Sequence, residues 1–220
     1  MADRPFLTDS DPREGAAAES SIGRSRVLTG GDLKSLKDGY LANQFLVAMP
    51  SLDDDNFNHS VTLMCEHTEQ GALGLVINRP MTLHLGEMLE QMGLAHTKLK
   101  GDPIVYWGGP VQPERGFVVH NHPGGWDSTL AITDDLYVTT SRDILAAIGN
   151  GEGPRQYFVA LGYAGWSAGQ LDDEVLRNSW LNTPVDRSIL FHTPANERWR
   201  AATRLLGVDI SHLASIAGHA

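Results

Sequence analysis

Three groups of residues in this chain have types and spacings suited to chemistry. The first is Gly165-Trp166-Ser167-Ala168-Gly169. It satisfies G-x-S-x-G, a turn that presents a serine nucleophile between a strand and a helix. Acidic residues Asp172, Asp173 and Asp186 follow, and then His192, in the order Ser, Asp, His of a hydrolase. The second group is Cys65, beside Glu66 and two residues from His67. Alternation along a strand puts Cys65 and His67 on one face, which permits a thiol–imidazole pair. The third is His120 with His122, to which His67 is a candidate third ligand. Neither H-E-x-x-H nor a paired C-x-x-C occurs, so no metal site and no cofactor are expected.

Each group also has a plainer reading. The G-x-S-x-G glycines suit a tight turn that packs beneath Trp166, and the apolar run before them ends short of Gly165. Cys65 shares its face with Val61 and Leu63, as a core thiol does. Nine histidines in 220 residues make one close pair expected by chance. The glycines of Gly108-Gly109-Pro110 and of 162–169 form neither G-x-G-x-x-G nor a Walker loop, so turn structure explains them better than a phosphate cradle.

These groups need elements to hold them. Residues 157–161 are a continuous apolar run and read as a buried strand. Gly162, Gly165 and Gly169 then punctuate a turn, and a helix follows with Asp172, Asp173 and Glu174 in its first turn. Further strands are expected over 44–49, 60–65, 72–77, 103–107, 116–120 and 187–191. Residues 128–132 and 136–140 read as a hairpin. Leu85, Met88, Leu89 and Met92 repeat at helical spacing. A helix over 142–148 has Thr140 and Asp143 as its cap. Ala195, Trp199, Ala202 and Leu206 line another helix, and 211–217 a last one. About nine strands and five helices in irregular order imply an α+β fold rather than a parallel sheet.

Several stretches resemble the YqgE/AlgH family. Its G-Y-A-G-W, G-Q-L and N-x-W pattern is matched by Gly162 through Trp166, Gly169-Gln170-Leu171 and Asn178-Ser179-Trp180. Its N-terminal pattern is matched by Pro50, Leu52, Asp54, Phe57, Ser60-Val61, Glu66-His67, Gly71 through Leu75 and Asn78-Arg79-Pro80. Gly108-Gly109-Pro110-Val111 and the closing Gly218-His219-Ala220 match too. The likeness runs from about Gly39 to the end. It implies one domain over 37–220, a mixed, branched, partly barrel-like sheet surrounded by helices. Some members carry a transcriptional-regulator label, and the family's activity is not established. The pattern leaves the Ser167 position open, which a nucleophile does not tolerate.

Composition narrows the rest. A net charge of −10, with 17 basic and 27 acidic residues, opposes non-specific attraction to nucleic acid or anionic lipid. Arg198, Arg200 and Arg204 share one helix, with Arg187 nearby; a solvated face explains them, and direct nucleic-acid binding is disfavoured. No apolar run reaches the roughly 20 residues of a membrane helix. Residues 1–36 are rich in small and polar types and read as a disordered extension. One cysteine, Cys65, suits a reducing compartment, and a cytoplasmic location is expected. Trp107, Trp126, Trp166, Trp180 and Trp199 fall mostly at element ends, where they pack junctions or rim a groove. The expected activity is therefore non-catalytic binding or regulation. Its surface would be built from Asp54, Glu66, His67, Asn78, Gly165, Trp166 and Gln170, toward an unidentified protein or small molecule. The alternative is a hydrolase or thiol enzyme using Ser167 or Cys65 with His67.

Overall fold

Eleven residues, Tyr157–Ser167, form the strand on which every other part of the sheet converges. The computed structural model describes residues 41–207. The extension expected over 1–36, the helix expected over 211–217 and the closing Gly218-His219-Ala220 lie outside them.

Ten strands are described: β1 (Gln44–Ala48), β2 (Val61–Thr68), β3 (Gly71–Val76), β4 (Pro80–His84), β5 (Ile104–Trp107), β6 (Val111–His120), β7 (Thr129–Thr133), β8 (Leu136–Thr139), β9 (Tyr157–Ser167) and β10 (Trp180–Pro184). Their order is β10-β1-β2-β3-β9-β6-β8-β7, all neighbours antiparallel. β5 joins β9 in parallel and carries β4 on its other edge. Ala160 faces both Phe117 of β6 and Tyr106 of β5, while Ala164 to Ser167 pair with β3. So β9 serves three strands, the sheet branches, and it curls into a half-barrel. A strand covered on both faces has to be apolar throughout, which is why Phe158, Val159 and Ala160 are all buried.

Among the described residues five helices close the faces: α1 (Leu85–Gln91), α2 (Arg142–Gly149), α3 (Gln170–Leu176), α4 (Arg187–Phe191) and α5 (Ala195–Leu205). α1 and α2 cover a core containing Val105, Val118 and Val159. α4 and α5 cover a second, with Phe45, Leu63 and Phe158. α3 covers a third, with Leu46, Met64 and Ala164. Each fully buried Leu, Val or Phe contributes about 1.5–3 kcal/mol of transfer free energy. The α+β reading and the branched, partly barrel-like sheet hold.

Four local expectations change. The stretch 187–191 is helix α4 and not a strand. Its apolar run is too short for periodicity to decide, and Asp186 decides instead, accepting hydrogen bonds from the Ser188 and Ile189 amides. The turn expected from Gly162 onward begins only after Ser167, because β3 takes up the second half of β9. β10 had no expected counterpart. It is an edge strand pairing with β1, and its Pro184 is tolerated there. The N-cap of α2 is Ser141, one residue later than expected, with Asp143 accepting from the Ile144 amide. Among the described residues no helix is long and apolar enough to cross a membrane.

Candidate functional site

Most of the expected site residues gather where β9 ends, and there they are tied to one another. Trp166 is the last but one residue of β9, and Trp180 opens β10. Both are buried, and a buried indole N–H needs an acceptor. Glu174 of α3 supplies it for both: its Oε2 accepts from Trp166 Nε1 at 2.9 Å and from Trp180 Nε1 at 2.8 Å. Its Oε1 accepts from Gln170 Nε2 at 3.0 Å, and Gln170 Oε1 accepts from the Ser167 amide at 3.0 Å. One carboxylate and one amide thus bind the end of β9, the start of α3 and β10 together.

Phe57 completes this cluster. Its ring lies 6.2 Å from Trp166, 5.6 Å from Trp180 and 6.4 Å from Trp107, and the two indoles meet edge to face at 6.1 Å. Asp54 builds the turn that carries Phe57. Its Oδ1 accepts from the amides of Asn56 at 2.8 Å and Phe57 at 3.1 Å. Asn78 fixes the other end of that loop, accepting from the Val61 amide and donating to the His59 carbonyl, both at 2.9 Å. Arg79 donates to the Asn58 carbonyl at 2.9 Å and lies 6.0 Å from the Trp107 ring.

Two open grooves flank the cluster. One, of about 520 Å³, is lined by Asp55, Asn56, Asn78, Arg79, Pro80 and Trp107. The other, of about 460 Å³, includes Glu66, Thr68, Tyr163, Gly165, Trp166 and Ser167. Asn78 therefore belongs to the first groove; Glu66, Gly165 and Trp166 belong to the second. Asp54 and Gln170 shape the loops behind them, and Phe57 bridges the two.

The reactive-looking residues part company. In β2 the register with β3 shifts between Met64 and Glu66, so Cys65 is an extra residue there. Cys65 packs with Val61 and Leu63 on one face, while His67 faces Ala72 and shares the side of Met64. The bulge breaks the alternation that would have paired Cys65 with His67. Burial, with the Glu66 charge beside it, pushes the Cys65 thiol far above its ordinary range, and its Sγ lies 3.7 Å from the Leu63 carbonyl. His67 is buried, with Nε2 3.7 Å from Asp172 Oδ1 and no partner for Nδ1 among the described residues.

Ser167 is exposed at the end of extended backbone and has none of the strained turn of a nucleophile elbow. The row His67–Ala72–Trp166 runs across three strands, so Ser167, the next residue, points to the other face. His192 bonds Gln156, at the opposite end of β9. Ten residues of strand, roughly 33 Å of rise, lie between.

The remaining candidates are accounted for by packing. His120 is buried. Its Nδ1–H donates to the His122 carbonyl at 2.7 Å, and its Nε2 accepts from Thr139 Oγ1 at 2.8 Å. Burial lowers its pKa and favours the neutral ring. His122 Nδ1 accepts from the Gly124 amide. Among the described residues no three His, Cys, Asp or Glu side chains are grouped to hold a metal. The Gly108-Gly109 loop crosses β9 at Gly162. A Cβ at any of the three would strike backbone of the other segment, so these glycines serve close approach.

Arg198 departs from the solvated face expected for it, whereas Arg200 and Arg204 are exposed. The Arg198 guanidinium is buried against Tyr106 and Phe158, and burial lowers its pKa. It donates to the carbonyls of Thr193 and Ile77. Sequence reasoning also passed over Glu174, Phe57 and Arg79. For Glu174 a signal existed: two tryptophans flank it, and their N–H groups need an acceptor.

Comparison with known proteins gives this arrangement relatives. The profile of the AlgH-like family DUF179 matches residues 45–211. A UPF0301 protein of Thioalkalivibrio sulfidiphilus is 53% identical over 178 residues, 81% of this chain and 96% of the relative. Another, from Methylococcus capsulatus, is 52% identical over 181 residues, 82% of this chain and 96% of the relative. The solution structure of the AlgH protein from Pseudomonas aeruginosa matches with a TM-score of 0.69 and 48% identity, covering 82% of this chain and 96% of that one. A crystal structure of a Corynebacterium diphtheriae protein shares the fold, at TM-score 0.63 and 20% identity, over 79% of this chain and 91% of that one.

Proposed function

The chain belongs to the AlgH-like DUF179 family, and we propose that it is a non-catalytic binding protein whose contact surface is the aromatic end of β9. One observation carries the reading: Glu174 takes both indole N–H groups of Trp166 and Trp180 and holds them against Phe57. Aromatic side chains fixed in advance cost little entropy when a partner arrives. The grooves beside them offer Glu66, Asn78 and Arg79 as polar contacts, the make-up of a recognition site. The partner is a small molecule or a protein segment that lies along one groove, and the output is regulatory.

The enzyme reading has less support. Cys65 is a buried neutral thiol, and Ser167 faces away from His67 and far from His192. A cytosolic location goes with the binding reading, since the one cysteine is a free thiol. The experiment is 19F NMR of protein labelled with 5-fluorotryptophan, titrated with a metabolite panel and with peptide fractions. Binding at this end moves the Trp107 and Trp166 resonances and leaves the added compound chemically unchanged. Turnover of any compound that moves them would overturn the reading.

A further inference from the structure

The opposite end of β9 opens into a recessed cavity of about 570 Å³ that differs in charge from the grooves above. Lys100 and Arg155 line it, together with Gln156, Tyr157, Phe191 and His192. Among the described residues no carboxylate does. Three other cavities lined by described residues each include one: Glu114, Glu66 or Asp55. In a chain of net charge −10, a cavity with two cations and no acid is a local reversal of the mean field. Among the described residues neither Lys100 nor Arg155 forms an ion pair.

The polar wall is held in one hydrogen-bonding state. Asn121 Nδ2 donates to Gln156 Oε1 at 2.7 Å, which turns the Gln156 amide nitrogen toward His192 Nε2 at 2.8 Å. His192 Nε2 is therefore an acceptor, and its ring proton sits on Nδ1 as a further donor. The apolar wall is aromatic. Tyr157 and Phe191 are both half-buried, so their rings present surface to the cavity while packing on the core behind. Gly153 completes the wall because a Cβ there would strike Ile148.

We propose that this cavity binds a small organic phosphate, with the phosphate between Lys100 and Arg155 and a flat ring against Tyr157 and Phe191. A dianion answers two separate cations, with Arg155 able to grip two of its oxygens. The volume fits a ligand of metabolite size. Nucleotides and simple aryl phosphates share this chemistry. The site stands apart from the aromatic groove and survives or fails without it.

The test titrates the full chain with AMP and with phenyl phosphate, using adenosine, phenol and inorganic phosphate as the separated halves, read by amide chemical shifts in 15N-labelled protein. At least one phosphate ester should bind saturably, shift the Gly151, Gly153 and Gln156 amides most, and bind at least about tenfold more tightly than either of its halves. AMP alone would assign a nucleotide site; both esters would assign a general aryl phosphate site. The double variant Lys100→Glu/Arg155→Glu changes two exposed side chains and should lose that binding by at least about tenfold at an unchanged melting temperature. Absence of saturable binding by both esters, shifts confined elsewhere, or equal binding by the double variant would overturn the proposal.

Discussion

At its C-terminal end β9 carries Trp166, whose indole N–H goes to Glu174. At its N-terminal end it carries Tyr157, which walls a cavity where Lys100 and Arg155 have no ion pair among the described residues. The first end spends its polar groups on itself and leaves shallow grooves around a fixed aromatic cluster. The second leaves cations unspent around a deeper space. His120 faces Tyr157 across the β6–β9 ladder, so a buried imidazole marks the second end as a half-buried carboxylate marks the first. One strand thus ends in a cluster braced by Glu174 and in a cavity lined by cations. The lesson is that polar residues concentrated in a sequence motif can be scaffold, while unpaired charge scattered over distant segments can be a site.

If the first end is scaffold, its largest parts should be the costliest to remove. Trp180→Ala removes a buried indole that contacts Phe57 and Trp166, and should destabilise the protein by about 3–5 kcal/mol in denaturant unfolding. Glu174→Ala strands two indole N–H groups and should cost about 2 kcal/mol, while Glu174→Gln, which keeps one acceptor oxygen, should cost about 1 kcal/mol. Equal and negligible effects for both Glu174 variants would end the scaffold account.

The second end should respond to acid. Burial lowers His120 below its ordinary 6.5, so the unfolded chain takes up that proton first. Its contribution is complete above about pH 6.5 and drains away as pH falls below that value. Melting temperature against pH should therefore decline on the acid side, and His120→Gln should make that limb shallower. The smallest effect belongs to the receptacle itself. Lys100→Glu/Arg155→Glu should leave unfolding free energy within about 0.5 kcal/mol, since both side chains are exposed and neither forms an ion pair among the described residues.

Much of this was legible in the sequence, and the failures have causes. Long apolar runs and the 3.6 period located β9, α1 and α5, because burial on one or two faces leaves a pattern. The branch at β9 is a matter of which strands share its edges, and one chain's periodicity does not carry that. The helix over Arg187–Phe191 was hidden in a five-residue run that only the Asp186 cap resolves. The Cys65–His67 separation was hidden in a bulge, which inserts one residue without a strong local signal. Asp54, Asn78, Trp166 and Gln170 were legible as motif members, but the contacts each makes were not. Glu174 was read as a helix-dipole residue when its main contacts are two indoles. The Lys100–Arg155 cavity left no motif at all, since its walls come from three separated segments, 100–103, 148–157 and 191–192.

Ser167 of the β9 motif and Cys65 of β2 look reactive in sequence but sit where neither pairs with a histidine base among the described residues. Mass spectrometry of the native protein after brief treatment with a fluorophosphonate and with iodoacetamide near neutral pH tests this directly. Ser167 and Cys65 should both remain unmodified in the folded protein, with Cys65 alkylated only after denaturation. Rapid modification of either residue in the native state would contradict it and return the protein to the enzymes.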